Sequence, residues 1–267
     1  MTTITLSAPA ETTLQLQQTI APSPASRAPE AGIQPAGEHR DAQRLGRLTG
    51  LFFLITYATS IPPVAVNYVP ALSDTAFVLG GGFDSGISWG ALLELLLIGA
   101  NIATALTLYP VLRKRFPVLS LGYVTARLTE SGFIAVGIVA LLALNSLRLE
   151  TVGADPAALT LVGQGLVAVH DWTFRLGPGV IVGVGNGLIL GLMMWKTRLV
   201  PRSLSILGVV GGPALLAGGV AVIFGQIEAG SQTQMLLALP EFLWELGLGL
   251  WLLTKGFNRP ALARLLA

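Results

Sequence analysis

The 267-residue chain contains no cysteine. That removes disulfides, thiolate metal centres and cysteine nucleophiles together. It has two histidines, His39 and His170, so a zinc hydrolase built on three histidines is excluded, and no spacing of carboxylates around His170 marks a metal site. No serine sits in a G-x-S-x-G elbow, and no Walker or dinucleotide-binding glycine fingerprint occurs. Charge is scarce as well: 11% of the residues are Asp, Glu, Lys or Arg, against roughly 25% in a soluble domain. The net charge is only +2 and the basic residues follow topology, so no nucleic-acid partner is indicated. No apolar segment precedes the first basic residue, Arg27. A cleavable signal peptide is therefore not expected, and the first apolar run is expected to act as its own insertion signal.

What the chain has in abundance is apolar length. Hydrophobic residues make up 52% of it and the mean hydropathy is +0.70. Six long apolar runs cover approximately residues 48–68, 87–109, 118–144, 176–195, 203–225 and 239–255. Each approximates the ~20 residues with which a helix crosses ~30 Å of hydrocarbon. The expected fold is all-α: a polytopic six-transmembrane-helix bundle, residues 44–258, with the lipid bilayer as its first partner. Residues 1–43 hold five prolines and no aromatic residue. They read as a disordered cytoplasmic tail, because such a composition buries too little apolar area to offset its ordering entropy. Residues 259–267 form a short second tail.

Thirteen of the sixteen basic residues fall on one side of this topology: Arg27, Arg40, Arg44, Arg47, Arg113, Lys114, Arg115, Lys196, Arg198, Arg202, Lys255, Arg259 and Arg264. The other side has Arg148 and the boundary residue Arg175, with Arg127 inside a span. The positive-inside rule then puts both termini in the cytoplasm. Between spans three and four an apolar stretch, residues 157–174, is broken by polar residues. A seventh span there would turn every later basic loop outward, so an interfacial or re-entrant helix ending at Gly177-Pro178-Gly179 is preferred. Span four carries a ladder, Gly179, Gly183, Gly187 and Gly191, that lets two backbones approach closely. A tight seam within the chain is the favoured use, and a homo-oligomer contact is the other.

Polar residues at membrane depth cost ~3 kcal/mol each on insertion scales, which makes them the candidates for function. Span two has Glu94 and Asn101, span three Arg127 and Glu130, span four Asn186, and span six Glu241 and Glu245, with His170, Asp171 and Arg175 just outside span four. At ~1.5 Å per residue, Glu94, Glu130 and Glu245 share a layer in the outer half of the bilayer. Arg127 lies a turn deeper, and Glu241, near the interface, is expected to be solvated. Glu94, Glu130, Asp171, Glu241 and Glu245 face only Arg127, Arg175 and His170. At neutral pH such a site needs a proton on at least one carboxyl, or a bound cation.

Several segments carry a resemblance. They are the stretch from Arg47 to Tyr57, Ala126-Arg127-Leu128-Thr129-Glu130, His170-Asp171 ahead of Gly177-Pro178, Leu199-Val200-Pro201-Arg202, Pro240-Glu241-Phe242-Leu243-Trp244-Glu245, and Trp251 to Phe257. Together they resemble the bacterial integral membrane family catalogued as domain of unknown function 4386. The resemblance implies six-span membrane proteins with no established activity. It also implies recurring polar positions at Arg127, Glu130, His170, Pro201, Arg202, Glu241 and Glu245. The reading reached is a polar intramembrane pocket walled by spans two, three and six and capped by the His170 segment. It would bind a small ligand or ion, in a carrier or sensor subunit, with no cofactor implied. In it Arg127 anchors an anionic group or a partner carboxylate, Glu94 and Glu130 exchange protons, and His170 gates. The alternatives are a membrane enzyme acting on a lipid or polyprenyl substrate through His170 and Asp171, and a scaffold whose ion pairs only fix packing.

Overall fold

A computed structural model describes residues 35–150 and 153–267. The tail expected over residues 1–43 therefore lies, up to residue 34, outside the described residues. Its last part is helical, because the first helix runs from Pro35 to Pro62 and a wider π-helical turn carries it on to Asn67. Residues 35–43 have no apolar periodicity, so hydropathy alone places the helix start too late. Further helices cover Val69–Ser73, Ser85–Leu112, Pro117–Leu147, Pro156–Leu176, Gly191–Thr197, Arg202–Ile223, Gln232–Lys255 and Arg259–Leu266. Among the described residues there is no strand, and six helices are long and apolar enough to cross a membrane. The protein is an all-α, multi-pass membrane protein.

Short side chains fix where the helices start. The Asp84 carboxylate accepts from the Ile87 amide at 3.0 Å, Asp155 accepts from Ala157 at 3.1 Å, and Asn258 accepts from Ala261 at 3.2 Å. Each satisfies one of the amide donors that a first helical turn leaves free. Within the short C-terminal tail, Arg259–Leu266 is a helix that buries Ala261 and Leu262. Gln43 holds the turn before it, donating to the Phe257 carbonyl at 2.7 Å and accepting from its amide at 3.0 Å.

The helix expected between spans three and four is present, but Gly177-Pro178-Gly179 does not end it. Pro156–Leu176 continues through π-helical segments, Gly177–Ile181 and Gly183–Leu190, into Gly191–Thr197. A wider turn accommodates the proline ring and the missing donor without a break. The resulting path of 42 residues measures about 63 Å at 1.5 Å per residue. It lies antiparallel along the third span instead of across the bundle. A methyl group at Gly185 would fall 2.8 Å from the Ala126 Cβ, one at Gly137 2.7 Å from the Thr173 hydroxyl, and one at Gly163 3.2 Å from Leu144.

The glycine ladder is a seam inside the chain. A methyl group at Gly183 would lie 2.8 Å from the Gly212 carbonyl oxygen, and one at Gly191 2.9 Å from the Gly208 backbone. At the far end, one at Gly219 would lie 2.7 Å from the Gly179 carbonyl oxygen. Spans four and five therefore meet backbone to backbone. Beyond span five, Gly208 takes the Trp244 indole and Gly211 the backbone of Glu241, so span six is drawn in as well. Two apolar clusters bracket the middle of the bundle. One, at the end holding Ala42 and the last helix, contains Phe53, Leu108, Met193, Trp244 and Leu252. The other contains Tyr68, Phe77, Ile87, Leu141 and Leu144. A polar layer lies between them.

Candidate functional site

The polar layer opens on one cavity of about 540 Å³. Its lining includes Glu94, Asn101, Arg127, Glu130, Glu241 and Glu245, so six of the candidate residues from three spans meet there. Each reaches it through its helix period. Glu94 and Asn101 are seven residues apart and Arg127 and Glu130 three, which puts both pairs on inward faces.

Arg127 and Glu130 are joined directly: the guanidinium donates to the Glu130 carboxylate at 2.7 Å. The second Glu130 oxygen accepts from the Asn101 amide at 3.1 Å. Arg127 Nε donates to the Thr104 hydroxyl at 3.2 Å. That hydroxyl lies 3.3 Å from the Tyr123 hydroxyl. All five side chains are buried. This cluster bridges spans two and three and is neutral as a pair, so of the two partners expected for Arg127 it takes a carboxylate. Glu94, one helical stretch away, accepts from the Tyr68 hydroxyl at 2.9 Å. Gly90 makes that possible, since a side chain there would strike the Tyr68 ring.

Glu245 accepts from the Asn186 amide, whose backbone carbonyl accepts from the Trp244 indole at 2.9 Å. Asn186 belongs to the π-helical part of span four, the kind of irregular turn that recurs at functional sites. Glu241 is not solvated as its position near a helix end suggested. It is 2% exposed, and neither carboxylate oxygen has a hydrogen-bond partner. The reason lies on neighbouring helices: glycines at 187 and 211 make room for the carboxylate. A methyl group at either would come within 2.6 Å or 2.9 Å of Glu241 Oε2.

His170, Asp171 and Arg175 are not on this cavity. They border an adjoining one of about 460 Å³ that shares Val64, Phe174, Pro178, Leu215 and Ala238 with it. His170 is buried, stands 3.7 Å from Asp171 and packs edge-on against the Tyr68 ring at 5.4 Å. Asp171 is also 3.6 Å from Arg175, and both are partly exposed. One tyrosine therefore separates His170 from Glu94.

The motifs that make up this site fall within one known family. A model described as Domain of unknown function (DUF4386) matches residues 48–256. The chain belongs to that family. No curated protein and no solved structure matches it.

In this DUF4386 chain a further wall of the cavity comes from span one, through Thr56, Tyr57, Ser60, Ile61, Val64 and Ala65. The expected walls were spans two, three and six. Span one carries no Asp, Glu, Lys, Arg or His between Arg47 and its end, so the search for buried charge passes over it. Its signal was the run of hydroxyls at 56, 57 and 60 amid apolar residues. Tyr57 also links spans one and six, donating to the Phe242 carbonyl at 2.8 Å with the two rings 5.2 Å apart. Tyr68, Thr104 and Tyr123 are further residues that sequence reasoning missed, all of them uncharged hydroxyls. No group of three or more His, Asp or Glu able to hold a metal ion occurs among the described residues.

Proposed function

We propose that this protein sits in a bacterial plasma membrane with both termini cytoplasmic. There its cavity, in the outer half of the bilayer, binds a small ligand or ion as part of a carrier or sensor. The observation that carries this reading is a charge imbalance. Four carboxyls, Glu94, Glu130, Glu241 and Glu245, line one cavity in which Arg127 is the sole cation among the lining residues. A scaffold held together by ion pairs needs balanced charges, because an uncompensated buried charge destabilises it. Glu241, buried without a partner, is a cost that packing does not require. The size is appropriate too, since ligand sites enclose ~300–1,000 Å³ and are mostly apolar with a few placed polar groups. Orientation is supported by the opposite end of the bundle, where Arg40, Arg44, Arg47, Lys255 and Arg259 surround one indentation. The enzyme reading gains nothing from His170, which lies outside hydrogen-bond range of Asp171.

The test is a cryo-electron-microscopy map of the protein extracted in native lipid nanodiscs, with mass spectrometry of co-purified small molecules. Density for a discrete molecule or ion among Glu94, Glu241 and Glu245 is expected. A cavity filled by an acyl chain continuous with the surrounding lipid would overturn the reading.

A further inference from the structure

We infer that the ligand of this cavity is a monovalent organic cation, a protonated amine on an apolar body, held by Glu241 and Glu245. This rests on the ligand-binding reading above and names its chemical class.

The hydrogen-bond inventory points to it first. Among the residues lining the cavity, the buried atoms without partners are both carboxylate oxygens of Glu241. Beside Glu245, the side-chain oxygen of Asn186, whose amide is bound to Glu245, has none either. The unpartnered donor of span six, the Trp251 indole, lies away from the cavity. Buried acceptors in a native protein find donors, and an ammonium group supplies three. Arg127 is not available to fill the role. Its guanidinium is committed to Glu130 and Thr104. An anionic ligand would add a further negative charge to the four carboxyls already on this cavity, so its sign is wrong.

The rest of the cavity separates an organic cation from a metal ion. No cluster of three ligating acids or histidines occurs among the described residues, and an ion such as Ca²⁺ takes six to eight oxygens at ~2.3–2.6 Å. A volume of about 540 Å³ is far more than a bare ion fills. The cavity lining that holds Glu241 is otherwise rich in apolar and aromatic side chains, among them Tyr57, Val64, Leu215 and Phe242. Such a wall takes an alkyl or aryl body by burial of apolar area, and its rings attract a nearby cation.

The experiment is calorimetric titration of the full chain in lipid nanodiscs with 2-phenylethylammonium, with its neutral analogue 2-phenylethanol, and with Na⁺ and Mg²⁺. Saturable binding of the ammonium is expected, at least about tenfold tighter than the alcohol, because only the ammonium brings a positive charge and three donors to the unpartnered Glu241 oxygens. Glu241→Gln is expected to remove that preference, while Glu150→Gln, on an exposed loop, leaves it intact. The ammonium–alcohol comparison is made on the unaltered protein, so a Glu241→Gln variant that does not fold leaves the test standing. Equal binding of ammonium and alcohol would overturn the cation assignment and keep the cavity as a ligand site. Saturable Na⁺ or Mg²⁺ binding in place of the ammonium would also overturn the assignment, in favour of an ion site. Absence of binding by all four, together with acyl-chain density in the cavity, would overturn both proposals.

Discussion

Arg127 and Glu130 lie three residues apart on a helix that contains no other Asp, Glu, Lys, Arg or His between Arg115 and Arg148. Each is buried, and each has a hydrogen-bond partner besides the other. Removing one partner leaves the other charge in low dielectric, which costs about 3–5 kcal/mol, whereas removing both leaves no orphan. Arg127→Met alone is therefore expected to lower unfolding stability in detergent by that amount, and Arg127→Met with Glu130→Gln to recover most of it. A double variant no more stable than the single would rule out the pairing as the source of the loss. Arg148 makes a second residue-scale case. Its guanidinium donates to the carbonyls of Phe77, Gly82 and Gly81, and lies 4.0 Å above the Phe77 ring. A lysine offers one point charge in place of a fork, so Arg148→Lys is expected to speed proteolysis of the 74–84 loop nearly as much as Arg148→Ala. Protection retained in the lysine variant would show that charge alone suffices. These contrasts explain what could be read in the sequence. Glu94, Arg127, Glu130 and Glu245 stand out because ionisable groups at membrane depth are rare. The burial of Glu241 was invisible because its cause, glycine at 187 and 211, belongs to other helices.

Helix boundaries and helix contacts were legible to different degrees. Apolar length marks the six spans, since hydrocarbon thickness imposes it. The first helix begins at Pro35, in a polar stretch whose order comes from tertiary contacts such as Gln43 with Phe257. Gly177-Pro178-Gly179 looks like a stop, and a π-helical turn carries the chain through it. The ladder from Gly179 to Gly191 is recognisable by spacing, but its partner is set by the fold, as glycines 208, 212 and 219 in span five. That gives a graded prediction. Gly187→Ala would bring a methyl group onto the Gly212 backbone and within 2.6 Å of Glu241 Oε2. Neither backbone can move independently, so a loss of at least about 2 kcal/mol is expected. At Gly99 and Gly132 nothing lies within 4 Å of the added group, and the same substitution should stay within about 0.5 kcal/mol. Thermal unfolding of the three variants in one detergent checks the order. Equal effects at 187 and 99 would remove the seam as an explanation.

For the whole molecule, asymmetry of charge and asymmetry of the cavity point the same way. The basic indentation around Arg44, Arg47 and Lys255 lies at the end that also holds Arg259 and the last helix, and the carboxyl-lined cavity lies away from it along the spans. Translocation across the membrane resists clustered Lys and Arg, so in the proposed orientation the basic end stays in the cytoplasm and the acid-lined cavity comes within reach of the outer surface. The chain has no cysteine, so a single introduced thiol reports its own position without background. Thr75→Cys, Glu150→Cys and Glu228→Cys, all exposed in loops, are expected to react with a membrane-impermeant maleimide on intact cells whose outer barrier has been opened. Arg115→Cys and Ala263→Cys, exposed at the other end, should react only after the inner membrane is permeabilised. The reverse pattern would place the cavity in the cytoplasmic half. A cation drawn from outside would then have to cross the basic end first, against like charge.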